Sequence, residues 1–357
     1  MTQTAPPSSI ESAARNYFPG IQDLRGWAAL SVLLYHVHIL FRKEKYFGHE
    51  VLFGFFEFGH RGVDLFFVIS GFLMAMLTQR RAGREVHAGA FLMARAKRVY
   101  LPYLPVMLAL TSACVLWSNV CPAAYSVDIA SVLANVLILP RENLDTFVPV
   151  VAWTLAHEVF FYLMTFCALL LGRRGPVLLA VWLGASLALA LSGLQLSFPL
   201  SFLLSPYNLA FGLGWLVFLL HRRWQDAIPS RTLVAVGALA FLGFGLVEVS
   251  ARSPFTTGPA MALTLGFFLA SFLLVLGYVG RRQARLASVG NASYSIYLVH
   301  YPVLVVLCMA ARRVLQDRVP LDLLFVLVGA AALACGGLYY LVVERPGLRL
   351  LGRKLAP

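Results

Sequence analysis

Apolar residues along this chain form long runs, and short polar segments interrupt them at fairly regular intervals. Ten runs come close to the about 20 residues that a helix needs to cross the hydrocarbon core of a bilayer. They lie near residues 24–41, 62–79, 102–120, 151–171, 176–193, 199–220, 232–249, 259–279, 292–311 and 321–343. The pattern therefore predicts an all-α, polytopic integral membrane protein with about ten transmembrane helices.

The polar segments are too short for a separate soluble domain. We expect one transmembrane domain, 24–346, between an N-terminal tail, 1–23, and a C-terminal tail, 347–357. The connector 80–101 mixes apolar residues with Arg and Lys at helical spacing, which is typical of an amphipathic helix on the membrane surface. Glu344, followed by Arg and Pro, predicts a helix-end salt bridge and the end of the tenth span.

Composition supports a lipid environment, since 60% of the 357 residues are hydrophobic, 13% are charged and the mean hydropathy is +0.78. Most of the 29 Lys and Arg residues fall in alternate connectors and in the two tails, which predicts that both termini are cytoplasmic. The net charge of +13 then faces inner-leaflet lipids, and no nucleic-acid partner is needed to explain it. The five scattered cysteines are expected to be apolar packing residues without disulfides.

The first run carries two basic residues, Arg25 and His36. At 100° per residue they share one helix face, about 16 Å apart along the axis. Arg25 alone is equally compatible with a snorkelling anchor at the interface. An ionisable residue near mid-membrane normally faces the bundle interior or a water-filled cavity, so His36 predicts a functional site; a structural histidine is the alternative.

Two polar residues of other runs reach the depth of His36. Counted from the ends of their helices, Ser70 and Glu158 lie about 10–12 Å below the outer face. A carboxylate beside an imidazole fixes its tautomer and raises the basicity of the free nitrogen. We therefore expect Glu158 and His36 to form a general-base dyad, with simple charge pairing of Glu158 as the alternative. The role of the neighbouring His157 stays open.

Five short motifs follow one another along the chain. They are the Arg25-to-His36 spacing, FFVISGF at 66–72, RAKR at 95–98, WTLAHEVFFY at 153–162 and SYSIYLVHYP at 293–302. Each is weak alone, but together they resemble the integral-membrane acyltransferase-3 family over almost the whole chain. The second and fourth motifs are most similar to the branch that acetylates secreted exopolysaccharides.

This resemblance implies a bacterial inner-membrane O-acyltransferase with its N and C termini in the cytoplasm. It implies transfer of an acyl group, usually acetyl, from cytoplasmic acyl-CoA to a hydroxyl of a surface glycan or lipid-linked sugar on the periplasmic side. It also implies that Arg25 and His36 are needed for activity and that Arg95 and Arg98 bind the donor. Many members have a Glu-Glu pair where this chain has His-Glu, so only Glu158 carries over.

The phosphates of coenzyme A are expected at the cytoplasmic side against Arg25, Arg95 and Arg98, because guanidinium groups pair well with phosphate oxygens. The pantetheine arm then rises toward His36, which deprotonates the acceptor hydroxyl for attack on the thioester. Ser70 or a backbone amide is expected to donate to the oxyanion. An acyl-enzyme route through His36 or Ser70 stays open. Acyl-CoA is a substrate here, and we expect no resident cofactor and no metal.

Further candidates lie in the ninth run and at the outer mouth. Tyr294, Tyr297 and His300 are three residues apart, so they share a helix face that lines the acyl channel or forms a packing seam. Arg61 and Asp64, near the outer end of the second run, either bind acceptor hydroxyls or form an interfacial ion pair.

A secondary transporter is the alternative from another class, because buried His, Glu and Arg also build proton relays. Against it, the two halves of the chain show no convincing repeat and no matching pair of Gly- or Pro-broken runs. A third possibility is an acyltransferase that acts on a lipid or small metabolite at the cytoplasmic face. The side of the membrane from which the acceptor enters distinguishes this enzyme from an acyltransferase that acts on a periplasmic glycan. The sequence leaves the oligomeric state open.

Overall fold

The computed structural model describes most of the chain. The described residues are 18–79, 87–117, 124–224, 227, 229–251, 257–281, 283–315 and 318–353. Residues 1–17 of the predicted N-terminal tail, and 354–357 of the C-terminal tail, lie outside them.

The regular structure of the described residues is helical. The helices are α1 Pro19–Arg42, α2 Gly62–Gln79, α3 Ala88–Leu116, α4 Ile129–Val136, α5 Trp153–Leu170, α6 Gly175–Ser192, α7 Leu200–Leu203, α8 Tyr207–Trp224, α9 Ser230–Ala251, α10 Thr257–Val279, α11 Ala287–Leu315, α12 Leu321–Tyr339 and α13 Arg345–Arg353. Short 3₁₀ turns precede α2, α5 and α6. Ten helical stretches of the described residues are long and apolar enough to cross a membrane, which confirms the predicted all-α polytopic class.

The N-terminal part of α3 corrects a sequence prediction. Residues 88–101 do not form a separate surface helix, because they continue without a break into the third span. Arg95 and Arg98 gave this segment its amphipathic pattern, but both side chains line an internal cavity. The polar face of the helix therefore points into the bundle. Helix α1 begins at Pro19, so the last residues of the predicted N-terminal tail are helical.

The end of the tenth span also differs from the prediction. The chain passes from α12 through a π-helical turn, Tyr340–Glu344, directly into α13. Glu344 is buried and accepts a hydrogen bond of 2.5 Å from the Ser295 hydroxyl, in place of the expected helix-end salt bridge. Single π turns inside helices are frequent at functional sites.

Close helix contacts at glycine hold the centre of the bundle together. A Cβ on Gly290 of α11 would lie 2.0 Å from the carbonyl oxygen of Gln22 on α1. A Cβ on Gly71 of α2 would meet the carbonyl oxygen of Phe211 on α8 at the same distance. Only glycine permits these approaches, which are typical of membrane helix pairs. The first of them fixes α1 against α11, the two helices that carry His36 and His300.

Among the four cysteines that the structure describes, one departs from the prediction. Cys114, in the last turn of α3, is disulfide-bonded. Cys167, Cys308 and Cys335 are free, as expected of packing residues.

Candidate active site

A cavity between α1, α2, α3, α5 and α11 collects many of the polar side chains that the sequence singles out. Its polar and charged lining residues are Arg25, Ser70, Arg95, Arg98, Thr154, Glu158, Tyr162, Ser293, Tyr294 and Tyr297. Apolar side chains such as Phe66, Leu73 and Met74 complete the wall. Candidate residues from five separate helices thus meet in one internal space.

Three arginines give the cavity its positive charge. Arg25 comes from α1, and Arg95 and Arg98 come from successive turns of α3. The carboxylates whose charge acts on Arg25 are Glu344 and Glu158. Three guanidinium groups in one partly buried space are suited to bind phosphate or carboxylate oxygens.

Glu158 lies in the same cavity but has a different partner from the one predicted. Its Oε1 atom accepts a hydrogen bond of 3.3 Å from the Ser70 hydroxyl and a second from the Tyr162 hydroxyl, one turn along α5. No hydrogen bond joins Glu158 to His36 in the part of the chain that the structure describes. The predicted dyad is therefore not formed, although Ser70 and Glu158 do meet in one layer. Depth alone could not tell which side of α1 faces α5.

His36 contacts a second histidine instead. Its Nδ1 atom lies 2.8 Å from the Val32 carbonyl oxygen and 3.1 Å from Nε2 of His300. The ring centres of the two histidines are 4.8 Å apart, and the rings of Tyr35 and Tyr301 also pack against His36. His36 therefore faces side chains of the bundle.

The histidine pair contacts one residue of the cavity wall and one residue of a second opening. Tyr297 lines the cavity, and its ring centre is 5.7 Å from that of His300, one turn further along α11. Tyr301 lines a mostly apolar groove between α3 and α11, and Arg313 lies at the far end of that groove. The side chain of His36 lines neither space, but it contacts the Tyr301 wall of the groove directly. His36 thus lies next to the groove wall, and His300 lies next to the cavity wall.

Arg61 and Asp64, the two candidates near the outer end of the second run, pair with each other, and Arg61 also pairs with Glu248 of α9. Arg61 donates hydrogen bonds of 3.1 and 3.0 Å to the two oxygens of Glu248 and one of 3.1 Å to Thr264. Asp64 lies 3.6 Å from Arg61. The structure therefore favours the ion pair over acceptor binding, since most guanidinium hydrogens of Arg61 are already used.

His157 packs away from the cavity. Its ring contacts Phe202, Tyr207 and Trp153, with ring centres 4.4, 5.3 and 5.9 Å away. It is a buried packing residue. In the part of the chain that the structure describes, no three His, Cys, Asp or Glu side chains cluster as a metal site requires. The absence of a metal stays a prediction.

Comparison with known families decides the class of this molecule. The sequence model of the acyltransferase domain, Acyl_transf_3, matches residues 19–342. The chain belongs to the acyltransferase-3 family. The matched region contains every residue of the cavity and both histidines.

Curated relatives of this acyltransferase cover nearly the whole chain. The exopolysaccharide production protein ExoZ of Rhizobium meliloti is 30% identical over 87% of this chain and 95% of its own length. The putative membrane-bound transacylase BcsY of Komagataeibacter xylinus is 27% identical over 92% of this chain and 82% of its own. The acyltransferase MdmB of Streptomyces mycarofaciens is 25% identical over 94% and 93%. No solved structure matches significantly.

Sequence reasoning missed the role of Tyr162 in the cavity of this acyltransferase and one buried hydrogen bond near it. Tyr162 is part of the fourth motif and lies four residues after Glu158, one helical turn away. Its hydrogen bond to Glu158 was not predicted. Ser295 is part of the fifth motif, and Glu344 was assigned to a helix end. The structure shows that these two residues form a buried hydrogen bond near Arg25. An acidic residue next to a predicted membrane end was the available signal for Glu344.

Proposed function

We propose that this acyltransferase transfers an acetyl group from acetyl-CoA to a sugar hydroxyl of an extracytoplasmic glycan, with His36 as the general base. One observation carries the proposal: the His36–His300 pair contacts both a wall residue of the tri-arginine cavity, Tyr297, and a wall residue of a separate groove, Tyr301. In this proposal the donor enters through the cavity, the acceptor enters through the groove, and the two substrates meet at the histidine pair.

The donor fits the arginine side. The 3′,5′-ADP portion and diphosphate of coenzyme A are polyanionic, and Arg25, Arg95 and Arg98 supply matched guanidinium groups. Arg25 and His36 share a helix face and are about 16 Å apart along α1. A pantetheine arm can extend over such a distance while its phosphates stay at the arginines. Tyr297 lines the cavity and contacts His300, so the arm passes beside this tyrosine on its way to the histidines.

The transfer step needs one base. His36 removes the proton from the acceptor hydroxyl, and the alkoxide oxygen attacks the thioester carbonyl carbon. As the carbon–sulfur bond breaks, the thiolate of coenzyme A leaves and takes the proton back from His36. The Ser70 hydroxyl donates a hydrogen bond to Glu158, so Ser70 can act as an oxyanion donor only when this hydrogen bond opens.

The acceptor fits the groove side. The relative ExoZ is a protein of exopolysaccharide production, which supports a surface polysaccharide as the acceptor class. The disulfide at Cys114 supports an oxidising compartment at the far end of α3, opposite the arginines. Together with the distribution of Lys and Arg, it supports the bacterial inner membrane, cytoplasmic termini and acceptor entry from the periplasm.

An acyl-enzyme route through Ser70 is the second candidate. The Ser70 hydroxyl is hydrogen-bonded to the carboxylate of Glu158, which is the arrangement that activates a serine nucleophile. In that route the acyl group moves first to Ser70 and then to the acceptor.

A turnover assay tests the proposal. Protein purified in detergent is given acetyl-CoA with and without an oligosaccharide of the host's surface polysaccharide, and release of the free thiol is followed. We expect turnover that His36→Gln abolishes. His38→Gln is the matched control, because His38 lies two residues along α1 and makes no hydrogen bond to a described residue. A transporter would show no turnover without a sealed membrane, and this result would reject the proposal.

The acceptor is identified in cells. The surface polysaccharide of a deletion strain is compared with the wild type by NMR, and we expect O-acetyl signals to disappear. Complementation with the wild-type gene restores them, and complementation with the His36→Gln gene does not. An unchanged polysaccharide in the deletion strain would instead favour a lipid or metabolite acceptor.

A further inference from the structure

The contact between His36 and His300 fixes the protonation of both rings. Nδ1 of His36 lies 2.8 Å from the carbonyl oxygen of Val32, and Nδ1 of His300 lies 3.1 Å from the carbonyl oxygen of Ile296. A carbonyl oxygen only accepts, so each Nδ1 carries the hydrogen. In a neutral imidazole the other nitrogen is then an acceptor, and Nε2 of His300 has a free lone pair.

That lone pair points at the hydrogen of His36. Nε2 of His300 is 3.1 Å from Nδ1 of His36, so the same N–H group faces two acceptors, the Val32 carbonyl and His300. The opposite tautomer of His300 would place two hydrogens against each other. Both carbonyl contacts and the contact between the rings are thus satisfied by one arrangement. In it, Nε2 of His36 is unprotonated.

From this arrangement, we propose that His300 is the positioning residue of His36. It holds the tautomer whose Nε2 is the base, and it accepts a stronger hydrogen bond from Nδ1 when His36 becomes an imidazolium. The inference rests on the proposed function, in which His36 takes the proton of the acceptor hydroxyl. The proton enters at Nε2 and leaves from Nε2 to the thiolate, and the Nδ1 hydrogen stays in place.

The surroundings of the pair support this role. His300 is fully buried, and its ring is held by its own backbone contact on one side and by Tyr297 on the other. Tyr35 and Tyr301 contact the ring of His36 through their faces and edges and form no hydrogen bond with it. The carboxylate that the sequence favoured for this task, Glu158, is used by Ser70 and Tyr162.

Two substitutions of similar size separate positioning from packing. His300→Gln keeps an acceptor oxygen near the place of Nε2, and His300→Leu fills the space without one. We expect His300→Leu to lower kcat about 10²-fold and His300→Gln to stay within about tenfold of the wild type. The KM for acetyl-CoA should be unchanged in both, because the arginines are untouched.

The other outcomes of this comparison overturn the proposal. Equal and complete loss in both variants would make His300 itself the proton carrier. Full activity in both would reduce it to a packing residue. Thermal unfolding in detergent is measured alongside, and if the Leu variant does not fold, the Gln variant must still retain activity.

A spectroscopic measurement is independent of turnover. Protein labelled with ¹⁵N-histidine is studied by NMR, and the signals of the two residues are assigned from His36→Gln and His300→Gln. We expect both rings to be neutral with the hydrogen on Nδ1. A hydrogen on Nε2 of His36 would refute the assignment even in an active enzyme. If the wild type shows no turnover but this tautomer is found, the proposed function fails and the geometry of the pair stands.

Discussion

The Ser70 hydroxyl and the Glu158 carboxylate are joined by a hydrogen bond of 3.3 Å across the cavity between α2 and α5. Tyr162 donates to the same carboxylate oxygen, so Glu158 is held by two hydroxyl groups and not by a basic side chain in the described part of the protein. The contact has two chemical uses. It either positions the carboxylate in the cavity or activates the serine as a nucleophile.

Ser70→Ala distinguishes these uses. With direct transfer from the thioester to the acceptor, we expect kcat to fall no more than about 10- to 100-fold, because a hydrogen bond to a charged carboxylate contributes about 1.5–3 kcal/mol. Intact-protein mass spectrometry after incubation with acetyl-CoA alone should show no added acetyl group. Loss of more than about 10³-fold, together with an acetyl adduct on Ser70 in the wild type, would establish the acyl-enzyme route instead.

Removal of one donor-binding guanidinium should weaken donor affinity. We expect Arg98→Gln to raise the KM for acetyl-CoA about 10- to 100-fold with little change in kcat, since a hydrogen bond to a charged group contributes about 1.5–3 kcal/mol. Lys97→Gln is the matched control, because Lys97 lies next to Arg98 on α3 but does not line the cavity. Steady-state kinetics at several acetyl-CoA concentrations measures both effects.

A shorter donor shows whether phosphate is what Arg98 binds. S-acetylpantetheine carries the thioester but no phosphate, so its KM should be equal in the wild type and in Arg98→Gln. If the substitution weakens both donors to the same extent, Arg98 acts on the structure of the cavity and not on the phosphates.

Hydropathy was sufficient to predict the spans, because lipid requires about 20 apolar residues wherever a helix crosses. It also placed His36, Ser70 and Glu158 at a common depth, and two of these three side chains do touch. Depth says nothing about direction around the helix axis. The partner of His36 is 264 residues away in sequence, on a helix whose approach depends on small residues such as Gly290.

The pattern around Arg95 and Arg98 was misleading for a related reason. A helix with a polar and an apolar face has the same sequence whether its polar face meets water at a membrane surface or meets an internal cavity. Only the packing of α3 against α5 and α11 distinguishes the two cases. The buried bond between Ser295 and Glu344 was missed because a carboxylate near a span end is ordinarily exposed.

The ion pair between Arg61 and Glu248 should matter for stability more than for acceptor binding. Both side chains are mostly buried, and Arg61 donates to both carboxylate oxygens. We expect Glu248→Leu to lower the free energy of unfolding by about 3–5 kcal/mol, because it leaves a buried guanidinium without its main partner. The double variant Arg61→Leu, Glu248→Leu should recover most of that loss. Unfolding by titration with SDS measures both. If the Glu248→Leu variant keeps its stability but has a raised KM for the glycan, Arg61 serves in acceptor binding instead.

The approach of α1 to α11 at Gly290 should control catalysis from a distance. A Cβ at this position would lie 2.0 Å from the Gln22 carbonyl oxygen, so Gly290→Ala must push the two helices apart. We expect a loss of stability of about 1–3 kcal/mol, as for other overpacked sites, and a lower kcat, because the contact between His36 and His300 spans these helices.

Gly337→Ala on α12 is the control, since nothing lies within 4 Å of its added Cβ and alanine is the better helix former. Thermal unfolding and acetyl-CoA turnover are measured for both. If Gly290→Ala loses stability but keeps the wild-type kcat, the spacing of the two histidines is not critical for proton transfer.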